Sequence, residues 1–247
     1  MPLLALSPHL DDAIFSAAAE LVRTQTGRDE DRPTVLTVFA GDPSRIPPLA
    51  AHLHELWQLD EDAMEMRRRE DLAACREVNA RAVHWEFEDA SYREDLPERF
   101  EIALNWVFKM VASPQLIGEI AERLRAFESE AGVHDDATVL VPLGIGGHVD
   151  HRIVRAAAEE VWPLERLLYY EDYPYSLRHR KRWRALWPPG RWRAAHRRVD
   201  QVLLAAKIRA VMHYRSQVRV LAPEAELGEK FERDFGRFER FWRRGRR

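Results

Sequence analysis

Two short clusters hold most of the residues able to do chemistry: Pro8-His9-Leu10-Asp11-Asp12 near the start, and Gly147-His148-Val149-Asp150-His151 past the middle. Imidazole nitrogen and carboxylate oxygen are good zinc ligands, and a catalytic zinc takes three protein ligands while leaving one position for water. His9 and Asp12 stand three apart, as do His148 and His151. At a helix start that spacing lets both members of a pair face one point. If His9, Asp12 and one of the later histidines hold a metal, Asp11 and the other histidine are left for proton transfer. A metal-activated water, a base and an acid are what hydrolysis of an amide needs. Either cluster alone reads as a helix cap or a surface pair; the two together favour the metal site.

The chain must bring the clusters to one place, and its elements are patterned to do so. Leu3 to Ser7 is a short apolar run stopped by Pro8, which reads as a buried strand. Residues 12–25 read as a helix, with Ile14, Ala18, Leu21 and Val22 on one face and Gly27 beyond its end. Thr34 to Phe39 is rich in β-branched residues and reads as the second strand. A strand, a helix and a strand imply a parallel sheet with a right-handed crossover. Thr138 to Val141 reads as a strand ending at Pro142, followed by a turn with Gly144, Gly146 and Gly147 and a helix over 149–161. Further helices are expected over 61–81, 115–130, 199–213 and 224–243, further strands at Ala82–Phe87 and Arg166–Tyr170, and a loop over 42–49 with its three prolines. Both His/Asp clusters follow a strand, and ligands of open α/β sheets gather beyond the carboxyl ends of strands. The expectation is one α/β domain over residues 1–247, with a mostly parallel sheet flanked by helices and a C-terminal helical extension from about residue 199.

The remaining composition narrows the class. The chain has 247 residues, 46 % apolar and 32 % charged, a globular profile with enough length for a full core. Its net charge of −3 is unevenly spread: 21 Lys and Arg against 7 Asp and Glu after residue 172, and 17 against 34 before it. Such asymmetry fits either an acidic partner or two parts that pack together and neutralise each other. The one cysteine, Cys75, excludes an intrachain disulfide, which points to a reducing cytoplasm. It sits among helical residues and reads as a packed hydrophobe rather than a nucleophile. No signal peptide is visible, and no apolar stretch is long enough to span a membrane.

The first cluster resembles the His-Pro-Asp-Asp-Glu signature of the PIG-L/LmbE-like deacetylase superfamily, and the second resembles its His-x-Asp-His signature. Arg67-Arg68-Arg69-Glu70 is similar to the family's Arg-x-x-Glu, Asp89 stands where the family has a substrate-facing Asp, and Lys207 with Ser216-Gln217 is similar to its C-terminal Lys…Ser-Gln element. The resemblance spans roughly residues 3–217. It implies a Rossmann-like, LmbE-like fold and removal of an N-acyl group, most simply N-acetyl, from a small amino-sugar conjugate. It also implies zinc, one ion per chain, held by His9, Asp12 and His151. Asp11 would be the general base for the zinc-bound water. His148 would stabilise the oxyanion and protonate the leaving amine, with Asp150 holding His148 in one tautomer. Arg67 and Asp89 would contact substrate, although Arg67 also has Asp71 at i+4 as a structural partner. Two positions depart from the signature: Leu10 stands for the usual Pro and Ala13 for the usual Glu. The proposed ligands and base are untouched, but substrate identity does not transfer from members that keep the Glu.

Two other stretches stand out. Residues 178–198 hold nine Lys and Arg with Trp183, Trp187 and Trp192 between them. They read as a solvated loop anchored by its tryptophans, or as a lid over an anionic or sugar-like ligand on the side where His9 and His151 open. No nucleic acid is expected as a partner. Phe231, Phe235, Phe238 and Trp242 fall near helical spacing, which suits packing on the body, a second subunit in a homo-oligomer, or an anionic membrane surface. Competing functions are a non-catalytic sugar or nucleotide binder and a metallohydrolase of phosphoesters. Asp11 and His148 beside the ligands argue against the first, and the shortage of carboxylates for two metals argues against the second.

Overall fold

The computed structural model describes residues 3–25, 27–93, 97, 99–130, 137–177, 185–186 and 190–245. Five parallel strands form the body of one sheet: β1 (Leu3–Ser7), β2 (Thr34–Thr37), β3 (Arg81–His84), β4 (Thr138–Pro142) and β5 (Leu167–Tyr170), in the order β3-β2-β1-β4-β5. The order reverses direction between β1 and β4, so a crevice opens beyond the carboxyl ends of those two strands. The expected α/β architecture is therefore present, as a single domain.

Helices cover both faces. They are α1 (Asp12–Arg23), α2 (Pro48–Trp57), α3 (Ala63–Glu77), α4 (Ala90–Arg93), α5 (Phe100–Val107), α6 (Pro114–Glu130), α7 (Val149–Val161), α8 (Gln201–Val211), α9 (Arg215–Val218) and α10 (Leu227–Phe235). Alternation along β1 divides the core. Leu4 and Leu6 pack with α5, α6 and α7, whereas Leu3 and Ala5 pack with α1, α3, α8 and α10. All five residues of β1 are buried, as expected of a central parallel strand, whose two faces are both covered.

The end of the chain differs from the amphipathic helix expected over 224–243. Helix α10 stops at Phe235 because Gly236 turns to φ +57, a conformation that favours glycine. The chain then forms β8 (Phe238–Glu239) and β9 (Phe241–Arg244). Strand β9 pairs antiparallel with β5 and with β6 (Trp192–Ala194), extending the sheet to seven strands, and β8 pairs with β7 (Arg197–Arg198). The extension is thus partly strand. Phe231 and Phe235 are buried, while Phe238 is 52 % exposed, so the aromatic spacing does not define one helical face.

Glu239 explains part of this arrangement. Helix α1 is interrupted at Ala17, and the carboxylate of Glu239 accepts the N–H groups of Ala19 (2.9 Å) and Glu20 (2.8 Å) just beyond the break. Lys207 balances that carboxylate at 2.7 Å. The basic C-terminal part also meets the acidic part directly, through Arg197–Glu20, Arg209–Glu77 and Arg244–Glu159. These pairs follow the packing view of the charge asymmetry.

The loop expected over 42–49 ends at Pro48, where α2 begins, and no helix was expected there. Pro48 stands at its first position, where the missing N–H costs nothing, and Leu49, Leu53 and Trp57 recur every fourth residue on its inner face. Helix α5 was not anticipated either. Both matter below because they wall the crevice.

Candidate active site

Ser7 ends β1 and pins the turn that follows: its hydroxyl donates to the carbonyl of His9 (2.6 Å) and accepts the N–H of Ala13 (3.0 Å). The turn presents His9, Asp11 and Asp12 at the crevice. On the other side of the switch point, the glycine turn after β4 leads to His148 and His151 at the start of α7. Gly146 has φ +96, and a Cβ there would lie 2.8 Å from the Tyr175 ring, so a side chain would push the turn away. The crevice has a volume of about 240 Å³; His9, Asp11, Asp12, Asp89, His148 and His151 form its polar floor. Leu49, Leu53 and Trp57 of α2 and Leu104 and Val107 of α5 supply an apolar wall.

Asp12 Oδ2 is the centre of the geometry. It lies 3.1 Å from His9 Nδ1 and 3.3 Å from His151 Nε2. Each histidine turns its other nitrogen to a buried carboxylate. His151 Nδ1 meets Asp172 at 2.6 Å, and His9 Nε2 meets Asp150 at 3.0 Å and Asp89 at 3.2 Å. Asp172 is held in turn by the N–H of Ile145 (2.8 Å), and Asp150 by Arg93 (2.6 Å) and the N–H of Ala90 (3.0 Å). A carboxylate behind each imidazole is the usual outer shell of histidines that bind metal.

The electrostatics agree. Burial works against charge on His151, but Asp12 and then Asp172 outweigh it and raise its pKa to about 10. Burial opposes charge on His9 too, yet Asp89, Asp12 and Asp150 raise it well above the ordinary value. Asp12 is held well below the usual carboxylate range, because His151 and His9 outweigh its burial. The carboxylates therefore call for positive charge between His9, Asp12 and His151.

Which donors suit a cation follows from what already occupies them. Among the described residues, His9–His148–His151 and His9–Asp89–Asp150 also bring donor atoms close together. Asp150, however, is spent on Arg93, Ala90 and His9, and a second cation would sit beside a guanidinium. Asp89 Oδ1 takes both the N–H and the hydroxyl of Ser91 (2.7 Å each). Among the described residues, Asp12 Oδ2 has only the N–H of His9 besides the two imidazoles (2.8 Å). His9 Nδ1 and His151 Nε2 therefore both face an Asp12 oxygen with little competing for it, which makes these three atoms a candidate donor set beside the other two.

Asp11 sits apart from this set. Burial, then repulsion by Asp12, pushes its carboxyl up to about 7, with Arg67 acting in the opposite sense from 4.0 Å. Arg67 stacks over Trp57 at 4.5 Å. Its Nε is buried without a hydrogen-bond partner among the described residues. The alternative pairing with Asp71 is not formed, since Asp71 is taken by Tyr214 (2.6 Å) and His84 (2.7 Å). Asp89 lines the crevice as expected, though it also touches His9.

Asp150 differs from its expected role. Its carboxylate meets His9 and Arg93, and its contact with His148 runs instead through its backbone N–H, which donates to His148 Nδ1 at 3.3 Å. The helix start imposes this, because His148 occupies the N-cap position of α7. With Nδ1 accepting, the ring proton of His148 belongs on Nε2. Burial, then His9, lowers the His148 pKa to about 3, so the ring is neutral.

Sequence reasoning missed Asp172, Arg93 and the aromatic wall. Asp172 was within reach of the same rule that found the others, since it follows β5 as His9 follows β1. Arg93 offered no signal. The basic segment is only partly visible: Trp192 packs edge-on against Tyr169 at the sheet margin (5.0 Å), while Trp183, Trp187, Arg182 and Arg184 lie outside the described residues.

Comparison with known proteins follows the same lines. The family described as GlcNAc-PI de-N-acetylase, PIG-L, matches residues 4–162. A 2'-N-acetylparomamine deacetylase of Streptomyces fradiae is 31 % identical over 183 residues, which cover 70 % of this chain and 57 % of that protein, so the match spans little more than half of the relative. A teicoplanin deacetylase solved in a zinc-inhibited form superposes with a TM-score of 0.74 at 29 % identity, covering 98 % of this chain and 97 % of the other. The A40926 pseudoaglycone deacetylase gives 0.72 at 30 % identity, covering 98 % and 96 %.

Proposed function

Because the chain belongs to the PIG-L family of de-N-acetylases, we propose that it is a divalent-metal-dependent amidohydrolase that removes an N-acetyl group from an amino sugar within a larger conjugate. The observation that carries this reading is the paired carboxylate–histidine arrangement, Asp150–His9 and Asp172–His151, converging on Asp12. Relatives named as a 2'-N-acetylparomamine deacetylase and a teicoplanin deacetylase support the substrate class.

His9, Asp12 and His151 would hold the metal, for which zinc is the ion we assign. When bound, such a cation supplies Lewis acidity towards water and the amide carbonyl. Asp11 takes the proton that the attacking water gives up; its carboxyl is poised for that near neutral pH. His148 donates its Nε2–H to the oxygen on which charge develops. A neutral His148 that gave up this proton would become an imidazolate, so the leaving nitrogen takes its proton back from Asp11. This revises the expected acid role of His148. Arg67 and Asp89 border the same floor and suit sugar hydroxyls.

Among the described residues no helix is long and apolar enough to cross a membrane. The buried, unpaired Cys75 suits a reducing compartment, and we place the reaction in the cytoplasm. The direct test is amine release from N-acetylglucosaminides, before and after chelation and with zinc, iron or manganese restored. Release that survives complete metal removal would overturn the reading, and the restoring ion identifies the native one. A phosphoester substrate turned over in its place would do the same.

A further inference from the structure

Gln217, in the short helix α9, lines the same crevice as Asp11 and Arg67, and the reaction as described makes no use of it. Its side chain is not free to rotate. The neighbouring Ser216 is buried, its hydroxyl donates to Glu70 Oε2 at 2.5 Å, and its N–H donates to Glu70 Oε1 at 2.8 Å. A serine hydroxyl has one proton, and here the carboxylate takes it. The hydroxyl oxygen can therefore only accept from Gln217, and Gln217 Nε2 donates to it at 3.0 Å. The chain of bonds thus decides which end of the carboxamide faces which way: nitrogen to Ser216, with Oε1 left as an acceptor. Glu70 stands one helical turn beyond Arg67 on α3. The same helix thus places a guanidinium donor and orients an amide acceptor at one crevice.

We infer that Gln217 is a specificity-determining residue, whose Oε1 accepts a hydrogen bond from a ring hydroxyl of the sugar, and that Glu70 and Ser216 are positioning residues that set its polarity. The inference rests on the amino-sugar reading above. Its logic makes an unusual demand on Glu70→Gln. A glutamine there still accepts the Ser216 N–H through Oε1, but its Nε2 must donate to the Ser216 hydroxyl. That hydroxyl then turns its proton to Gln217, and the carboxamide flips, offering a donor where the sugar needs an acceptor. A change that preserves shape should therefore abolish recognition as thoroughly as removing Gln217.

The experiment is calorimetric binding of methyl β-glucosaminide and its 3-, 4- and 6-monodeoxy analogues to the metal-loaded protein, with steady-state deacetylation of the N-acetyl forms alongside. Wild type should discriminate against one monodeoxy analogue by about tenfold, the size of one lost hydrogen bond that leaves its partner unpaired. Gln217→Leu and Glu70→Gln should each bind the parent about tenfold more weakly, with the loss appearing in KM, and should no longer distinguish that analogue. Glu70→Asp, which retains an acceptor for the serine proton, should restore part of the discrimination. If Gln217→Leu discriminates as wild type does, or if Glu70→Gln retains full affinity for the parent, the inference fails while the deacetylase reading stands. If wild type binds the sugars and discriminates but releases no amine, the deacetylase reading fails and the role of Gln217 survives. A wild type that binds none of the sugars overturns both.

Discussion

Two buried clusters in this molecule are built from the same residue types, and only one of them resembles an active site. At the switch point, Asp12 sits between His9 and His151 at the floor of the crevice. One helical turn beyond Arg67 on α3, Asp71 sits between His84 and Tyr214. Both carboxylates are buried and both accept from an imidazole. The difference lies in what remains unspent. Asp71 is fully buried, with one oxygen on the Tyr214 hydroxyl and the other on His84 Nε2, and it does not line the crevice. Asp12 has two imidazole nitrogens turned towards one oxygen, and each imidazole is backed by a further carboxylate, so the group has more negative charge than its own bonds use. Residue type therefore does not distinguish a site from a brace; unspent bonding capacity that opens on a cleft does.

The sharpest way to break this comparison is to remove a donor from the first cluster. His151→Ala is expected to lose the metal and with it more turnover than the ~10²–10⁴-fold that loss of a general base costs. His148→Ala should keep the metal, because its Nδ1 is used by the N–H of Asp150 and it stands outside the proposed donor set. Elemental analysis of the two variants decides this. Equal metal content in both would place the ion elsewhere, for example among His9, Asp89 and Asp150.

Next in size comes Asp11→Asn. It should retain the metal and lose ~10²–10⁴ in kcat, because the substitution preserves volume and removes only the proton acceptor. Metal loss in this variant would make Asp11 a ligand and exchange the roles of the two aspartates. A smaller effect is expected from Asp172→Asn. The His151 ring would keep a hydrogen-bonding neighbour but lose a charged one, and metal affinity should fall ~10–100-fold, read by competition with a chelator. Unchanged affinity would show that the carboxylate behind His151 does not tune the site.

How much of this was legible beforehand depends on whether a local pattern or a distant partner sets the residue. Strands β1 and β4 read directly because Leu3 to Leu6 and Val139 to Val141 are apolar throughout and a proline ends each run. The glycines after β4 and the His/Asp spacings then fall at strand ends, where α/β sheets place their chemistry. The clefts' walls were less legible. Helix α2 was obscured by Pro43, Pro47 and Pro48, although Pro48 proves to be a good first residue of a helix. The chain end misled in the opposite direction: Phe231 and Phe235 do lie on a helix, but Gly236 ends it, and β9 is fixed by pairing with β5, a partner about seventy residues earlier in the chain. Arg93 and the second role of Asp150 could not be read at all. They exist only because α4 and α7 meet in space, and a sequence window contains one or the other.

The last test concerns the closed cluster, where the smallest effect on chemistry is expected. Asp71→Ala strips the partner from the Tyr214 hydroxyl, which is fully buried, and from one nitrogen of His84. Leaving a buried polar group unpaired costs about 1–3 kcal/mol, so the variant should unfold at lower denaturant with an unchanged slope. Burial, then Asp71, also pushes the Cys75 thiol up and out of reach of ordinary pH. Removing the aspartate withdraws the lesser of these two influences, and Cys75 should stay slow towards a thiol reagent in the folded protein. Metal content should be that of wild type, since neither His84 nor Asp71 faces the crevice. Tyr214 opens the turn that leads to Gln217, so a modest rise in KM accompanies the loss of stability. If instead Asp71→Ala released the metal as His151→Ala does, the two clusters would be energetically one. The distinction between a brace and a site would then have to be drawn from coupling between them rather than from which bonds each leaves unspent.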